Sequence, residues 1–538
     1  MSFTLVDRIL YNGNIHTLDP NQPQVSALAI SQGRIVALGD DAEILDLASV
    51  GTTRENLGGK FVIPGLTDAH LHWQMYSTSL QSVNLFDLTS LEQSLQRIAE
   101  RAKTAPKDQW LLGYGWAQDN WDTRQFPTLA DLDRVVSDRP ALMRARSGHA
   151  LWVNSALLQF CGIDRNTPDP EGGYIGRDAE GNLTGILFEN AMHLVDKKRP
   201  LPTSERLASW MQQAQTTAHG LGLTGFHDYD GADCLTGLQV LREQGSLSMR
   251  VVKNVNREYI DAMLHMGLRH GFGDDWLRLG GLKIFVDGAL GPRTAWMIDP
   301  YDQEPENYGI LVTDKEDLHE QISRASEFGL ASTIHAIGDR AVHDTLDVYE
   351  QVRREEAERG IPRSARRHRI EHVQIIHPAD VTRLAELNII ASMQPIHATA
   401  DYQMADSYWG SRVPYAYNPR LQLDSGAVLA FGSDAPVESV DPLVGIHAAV
   451  TRRRADGSPS AEGWTPEARV SVHEALLAYT QGTAYAGYAE NRLGKLAVGY
   501  LADAVVLDQD LYAVEPMAIL ETNVLGTMVG GEWRFGGV

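Results

Sequence analysis

Eight short apolar runs, separated by longer stretches of helical character, constrain the fold of this 538-residue chain more than any other feature. Strand-like runs that alternate with helical stretches are typical of parallel βα units. The eight runs are residues 61–70, 222–228, 248–254, 280–287, 330–335, 368–373, 389–394 and 428–434. Eight such units predict an α/β fold, a (β/α)8 TIM barrel.

The gap between the first two runs is too long for a single crossover helix. Residues 78–212 therefore predict an insertion within the barrel domain, after its first strand. This segment is rich in aromatic and turn residues, among them Trp116 and Trp152. Because it would leave from the C-terminal end of the first strand, we expect it to lean over the mouth of the barrel.

The two ends of the chain resemble each other. Short β-type runs with glycine turns predict hairpins at residues 4–10, 27–38, 502–508 and 524–534. Neither end alone has enough strands to bury a core. We therefore predict a composite β-sandwich domain from residues 1–62 and 487–538, flanking a barrel domain at 63–486.

Charge and cysteine content exclude several classes of protein. The net charge is −23, which disfavours binding to nucleic acid. Only Cys161 and Cys234 are present, which excludes a disulfide scaffold and favours a reducing compartment. No apolar run approaches the ~18 residues of a membrane span, and residues 1–14 lack a signal-peptide core. We expect a cytoplasmic homodimer without nucleic-acid or membrane partners.

Histidines and one carboxylate stand where four of the predicted strands end, and reactive residues of barrels lie at those ends. His70 and His72 are two residues apart, so on a strand both point to one face. His335, His372 and Asp434 end the fifth, sixth and eighth strands. Singly, each has an ordinary reading as a core histidine or a turn aspartate. Together they predict a site for zinc or a similar divalent ion.

Lys283 lies in the otherwise apolar strand 280–287, where a buried ammonium is costly. It could lie at a strand edge or pair with Asp287. Alternatively, carbon dioxide could carboxylate its amine, and the resulting carbamate would bridge two metals. Glu371 directly precedes His372, so strand parity predicts that it points away from that histidine, as a supporting or structural carboxylate.

Several motifs resemble the metal-dependent amidohydrolase superfamily, in particular the amidohydrolase-3 branch that includes N-substituted formamide deformylases. The barrel motifs are GLTDAHLH (65–72), the strand-end Lys283, His335, His372 and Asp434. The branch motifs are GYGWAQDNW (113–121), SGHALWVNS (147–155), TGILFENA (184–191), KIFVDGALGPRTA (283–295) and SMQPIHATAD (392–401). With the terminal segments 7–19 and 491–508, the resemblance covers essentially the whole chain.

The resemblance implies a role for each strand-end residue. His70, His72 and Asp434 would hold the more buried Zn²⁺, and His335 and His372 a second ion. Lys283, carboxylated by carbon dioxide, would bridge the two, although some members work with one metal. Asp434 would also be catalytic, taking a proton from the activated water and delivering it to the departing amine.

The substrate pocket is predicted only loosely, from Trp73, Trp116, His149, Arg293 and His397. Aromatic walls suit a small-molecule substrate with an apolar or aromatic group. Arg293 and His397 follow the fourth and seventh strands and could orient a polar group or the developing oxyanion. The tryptophans could equally form the insertion's own core, and Arg293 and His397 could form salt bridges or cap loops.

Three functions follow from this pattern. The first is hydrolysis of a linear amide, of N-substituted formamide or N-acyl amine type. The second is hydrolysis of a cyclic amide, or deamination, at the same site; the resemblance counts against deamination because such members commonly lack the bridging lysine. The third is a metal-free scaffold, which the intact ligand set argues against.

Overall fold

The computed structural model describes residues 5–86, 88–146 and 149–537. Its contacts divide the chain into two compact units. The first comprises Met1–Tyr76 and Met211–Val538, and the second comprises Ser77–Trp210. The second unit falls where the insertion was expected. The contacts do not separate the barrel from the terminal sheets, so that boundary stays a prediction.

An eight-stranded parallel sheet forms the centre of the first unit, and it confirms the predicted barrel. Its strands, neighbours in chain order, are Leu66–Leu71, Leu223–Asp228, Arg250–Asn256, Leu277–Phe285, Ser332–Ala336, Arg369–His372, Ile390–Met393 and Leu429–Phe431. Two backbone hydrogen bonds bring the segment after the eighth strand back to the first. Asp434 N–H donates to His70 O at 2.7 Å, and His72 N–H donates to Ala435 O at 3.0 Å.

The predicted first run, 61–70, is two strands rather than one. Phe61–Pro64 belongs to a terminal sheet and Leu66–Leu71 to the barrel. Gly65 separates them, and a Cβ there would clash with the side chain of Thr224, so the close approach requires glycine. Sequence patterning could not divide the run because the parts on both sides of Gly65 are almost wholly buried and show no change of period.

Strands from both ends of the chain build two further sheets. One contains Arg8–Tyr11, Ala27–Ser31, Arg34–Gly39 and Thr53–Asn56. The other contains Asn14–His16, Gln24–Val25, Phe61–Pro64, Ala504–Leu507, Val524–Val529 and Glu532–Gly536. Leu10, Ile30 and Val506 lie in one apolar core between them. The two termini therefore complete each other's hydrophobic core.

Helices follow the barrel strands, as a βα fold requires. Those after the second strand are Ala232–Glu243, Ile260–His265, Lys315–Glu327, Asp339–Glu358, Arg383–Glu386, Pro395–Trp409, Pro419–Ser425, Pro442–Thr451, Val472–Leu477 and Thr483–Ala486. Side-chain caps fix where several of these helices begin. Asp314 accepts from Asp317 N–H at the start of Lys315–Glu327, and Ser471 forms a capping box with Glu474 at the start of Val472–Leu477. Earlier helices are Asp41–Leu45, Trp73–Ser79 and Ser204–Gly220.

The second unit contains a six-stranded mixed sheet. Its strands are Val83–Asn84, Leu111–Trp116, Ala141–Ala145, Ala150–Val153, Gly173–Arg177 and Leu183–Glu189. Its helices are Leu91–Thr104, Leu129–Val135, Ser155–Cys161 and His193–Asp196. Across the described residues, no helix is long and apolar enough to cross a membrane.

Candidate metal centre

The carboxylate of Asp434 lies at the centre of a cluster of imidazoles. Its Oδ1 is 3.5 Å from His70 Nε2 and 3.3 Å from His72 Nε2, and its Oδ2 is 3.7 Å from His397 Nε2. Two groups that contain Asp434 have one ligand atom from each residue within 4.8 Å of the others: His70, His72 and Asp434, and His372, His397 and Asp434. The structure thus brings the first predicted ligand set together.

A carboxylate on the sixth barrel strand and one just after the second strand hold the outer nitrogens of His70 and His72. Glu371 Oε2 is 2.7 Å from His70 Nδ1, and Asp230 Oδ1 is 3.0 Å from His72 Nδ1. Because a carboxylate only accepts, each Nδ1 carries a hydrogen, and Nε2 is the nitrogen of each ring that faces Asp434. Both rings are therefore oriented as metal ligands.

Burial and charge act differently on these two rings. Burial lowers the pKa of His70 to about 4. Burial also opposes charge on His72, but hydrogen bonds with Asp230 and Asp434 outweigh it and raise the pKa of His72 to about 9. A cation at Asp434 would compete with that proton, so metal binding at this position would release it.

Glu371 connects His70 to two side chains that the sequence reading did not single out. Its Oε1 accepts from Tyr229 O–H at 2.7 Å and forms an ion pair with Arg369 Nε at 2.9 Å. The Tyr229 ring stacks on His70 with centroids 3.8 Å apart. Burial opposes the charge of Glu371, but Arg369 and His70 hold its pKa well below the usual range. The sequence signal that could have revealed Tyr229 is HDYD (227–230), a run of polar residues where the second strand ends.

Two residues at strand ends have a left-handed backbone, so the alternation of side chains along a strand does not predict the direction of their side chains. His372 has φ 80° and Asp434 φ 61°, values that non-glycine residues seldom adopt and that cluster at functional sites. Although Glu371 and His372 are adjacent, both border His70: Glu371 through its hydrogen bond, His372 with ring centroids 4.8 Å apart. Glu371 therefore reaches the site through His70, which agrees with its expected role as a supporting carboxylate, and its direction relative to His372 stays a prediction.

Lys283 is 1% exposed, and its Nζ has no hydrogen-bond partner among the described residues. The rings of Tyr229 and Phe285 lie 4.6 and 4.4 Å from it. Burial lowers the pKa of Lys283 to about 8. Asp287 does not pair with it. That carboxylate instead accepts the backbone N–H groups of Trp296, Ile337 and Gly338.

His335 lies beside the cluster but belongs to neither set of three. Its Nε2 is 3.0 Å from the carbonyl oxygen of Gly288, to which it donates, and its ring centroid is 4.5 Å from that of His372. Burial lowers the pKa of His335 to about 3. Its Nδ1 is the nitrogen left to bind an ion.

Two of the predicted substrate residues in the first unit make ordinary structural contacts. Trp73 is fully buried and stacks on Phe226 with centroids 4.4 Å apart. Arg293 forms an ion pair with Glu304 at 2.7 Å. The structure does not bring either into the two ligand sets, and their contact with substrate stays a prediction.

The two predicted substrate residues in the second unit differ in exposure. Trp116 is fully buried in that unit's core with Trp152, and its indole N–H donates to Met143 O at 2.7 Å. His149 is exposed, with its Nδ1 3.0 Å from Glu189 Oε2. The alternative reading of Trp116 as a core residue describes these contacts, and a substrate role for either residue stays a prediction.

The residues present fit a divalent cation. Within the described chain, His70 Nε2, His397 Nε2 and Lys283 Nζ are buried polar atoms without a hydrogen-bond partner. Unpaired buried polar groups are costly, so such a cluster around one carboxylate calls for a ligand. Imidazole nitrogens with a carboxylate oxygen suit zinc and similar borderline ions.

A parallel barrel that carries this cluster at its strand ends defines a metal-dependent hydrolase. The chain belongs to the amidohydrolase family, whose model, Amidohydro_3, matches residues 55–535. It is 32% identical to a putative amidohydrolase, YtcJ of Bacillus subtilis, over 97% of this chain and 98% of that protein. It is 28% identical to an N-substituted formamide deformylase of Arthrobacter pascens, over 98% of each.

A solved structure supports the same assignment. An uncharacterized metal-dependent hydrolase from Pyrococcus furiosus aligns with a TM-score of 0.77 and 31% identity, covering 94% of this chain and 99% of that one. The likeness therefore includes the barrel, the terminal sheets and the insertion alike.

Proposed function

We propose that this protein hydrolyses the C–N bond of a linear amide, of N-substituted formamide or N-acyl amine type, with water activated at a Zn²⁺ centre. The observation that carries the proposal is Asp434, a buried carboxylate approached by the Nε2 atoms of His70, His72 and His397 at 3.3–3.7 Å. The formamide deformylase relative supports the choice of bond.

His70, His72 and Asp434 would hold one ion, and His335 and His372 would contribute to a second. A bound divalent ion lowers the pKa of a bound water towards ~7 and polarises a carbonyl group. Glu371 and Asp230 keep His70 and His72 in the tautomer that leaves Nε2 free. These carboxylates therefore position the ligands.

Asp434 is the proposed proton carrier. Burial opposes its charge, but His70, His72 and His372 hold its pKa well below the usual range, so the carboxylate is ionised. It would accept a proton from the attacking water and deliver it to the nitrogen of the departing amine. The products are a carboxylic acid, or formic acid, and an amine.

Lys283 is the proposed site of a carbamate. Its lowered pKa leaves a fraction of the amine neutral at pH 7. The neutral nitrogen would attack the carbon of carbon dioxide, forming an N–C bond and releasing one proton. The product is an anion where the amine would otherwise oppose a cation. The absence of an ion pair between Lys283 and Asp287 supports this role.

Metal content and a substrate panel test the proposal together. Gently purified protein is assayed for metal by elemental mass spectrometry. It is then assayed for amine release from N-benzylformamide and N-acetylphenylalanine, and for ring opening of a cyclic imide. We expect one or two zinc ions per chain and turnover of a linear amide. A chain that binds no metal after zinc and bicarbonate are added would refute the proposal. Turnover of the cyclic imide alone would replace it with the cyclic alternative.

A further inference from the structure

We propose that His397 is a metal ligand, and that it forms a metal position with His372 on the Oδ2 side of Asp434. This inference rests on the proposed metal-dependent function and assigns a residue that the sequence placed with the substrate. His397 lies in the first turn of the helix Pro395–Trp409 and is 5% exposed. Its Nε2 has no hydrogen-bond partner in the described chain and lies 3.7 Å from Asp434 Oδ2.

The hydrogen-bond network behind His397 fixes which nitrogen carries its proton. Gln374 lies between His397 and Tyr417, with its Nε2 3.1 Å from His397 Nδ1 and its Oε1 3.0 Å from the Tyr417 hydroxyl. The same hydroxyl is 2.8 Å from Asp401 Oδ2. A hydroxyl has one proton, and the carboxylate can only accept it. Tyr417 must therefore receive its second hydrogen bond from Gln374.

Turning the Gln374 amide over satisfies every member of this network. Its NH2 group then donates to Tyr417, and its oxygen accepts from His397 Nδ1–H. His397 consequently has a bare lone pair on Nε2, directed at Asp434. A lone pair that faces a carboxylate without a proton between them is repulsive, and a cation between the two removes that repulsion.

His397 thus repeats the arrangement of the two histidines on the first strand. In His70 and His72, an oxygen acceptor holds Nδ1 and Nε2 approaches Asp434. His372 has the same support, since Gln394 Oε1 lies 2.8 Å from its Nδ1. Oδ1 of Asp434 faces His70 and His72, Oδ2 faces His397, and His372 belongs to the same set of ligand atoms as His397 and Asp434. His335 differs, because its Nε2 is used by the carbonyl of Gly288.

Metal titration of the apoprotein tests this assignment without recourse to activity. Co²⁺ is added to the full-length chain, with occupancy measured by elemental mass spectrometry, affinity by chelator competition and coordination by visible absorption. We expect His397→Gln to lose one ion per chain or at least about tenfold in affinity for it, with an altered cobalt spectrum. His447→Gln is the control, since His447 is buried in the helix Pro442–Thr451 outside the site.

A second variant keeps the test decisive if His397→Gln does not fold. His397→Asp retains an oxygen ligand, so it should bind the ion with a changed cobalt spectrum. A substrate-contacting His397 predicts wild-type stoichiometry, affinity and spectrum in both variants, and that result would overturn the inference alone. A wild-type chain that binds no cobalt or zinc would overturn the proposed function itself, and this inference with it.

Discussion

Replacing Glu371 with glutamine should disable His70 as a ligand while changing only one polar atom. In the wild type, Oε1 accepts from Tyr229 and forms an ion pair with Arg369, and Oε2 accepts from His70. An amide has one oxygen, and two donors compete for it on the Oε1 side. The NH2 group of Gln would therefore face His70 Nδ1, and the imidazole proton would move to Nε2. A protonated Nε2 cannot bind an ion, so metal affinity should fall by about 10–100-fold or more.

The same change should lower stability. Glu371 is fully buried and Arg369 is 2% exposed, so the neutral amide leaves the guanidinium without its charge partner at 2.9 Å. Breaking a buried ion pair by removing one partner costs about 3–5 kcal/mol. Urea unfolding of the metal-free protein measures this cost, and chelator competition measures the affinity separately.

Glu356 offers a matched control elsewhere in the barrel. It is also buried, with its Oε2 2.7 Å from Arg353 Nη1 and its Oε1 2.9 Å from His368 Nε2. Glu356→Gln should lower the free energy of unfolding to a similar degree and leave metal affinity unchanged. The reasoning is refuted if Glu371→Gln binds metal as tightly as the wild type, or if Glu356→Gln loses metal equally.

Three further outcomes are expected. Asp434→Asn should retain much of the metal and lose about 10²–10⁴-fold in turnover, measured as amine release; an active, metal-loaded variant would contradict Asp434 as the proton carrier. Because burial lowers the pKa of Lys283 from 10.5 to about 8, its charge costs about 3 kcal/mol below pH 8 and nothing above pH 10.5. Lys283→Met should therefore stabilise the metal-free protein at pH 7, and urea unfolding should show this gain shrinking as pH rises through that window; a pH-independent gain would contradict it. Trp116→Ala should destabilise the insertion by about 3–5 kcal/mol in thermal unfolding; if Trp116 only packs, Trp116→Phe should leave KM unchanged.

The barrel and its strand-end ligands could be predicted because both are local patterns. An apolar run predicts a strand, and the residue at its C-terminal end predicts a side chain at the mouth of the barrel. His70 and His72 share a face by simple alternation, and the structure confirms that both approach Asp434. The division of residues 61–70 into two strands escaped prediction because the parts on both sides of Gly65 are buried alike.

The side chains that orient the ligands could not be predicted. Glu371 supports His70 from across the barrel, and Asp230 supports His72 from the segment that follows the neighbouring second strand. Such pairs depend on register between strands that are far apart in the chain. The left-handed backbone of His372 likewise has no signature in its own side chain. The homodimer, the cytoplasmic location and an apolar or aromatic substrate group stay predictions.

The contact between Asp434 N–H and His70 O has a consequence for the order of folding. It joins residues that are 364 positions apart (434 minus 70), so nearly the whole barrel must form before this hydrogen bond can. Contacts of such long range form late, because their loop-closure entropy is lost before they contribute. During synthesis the first strand leaves the ribosome long before the eighth. His70 and His72 are therefore made long before Asp434, the carboxylate that both approach. Metal uptake would therefore mark the end of folding, and a nascent chain stalled before residue 434 should bind no ion at this position.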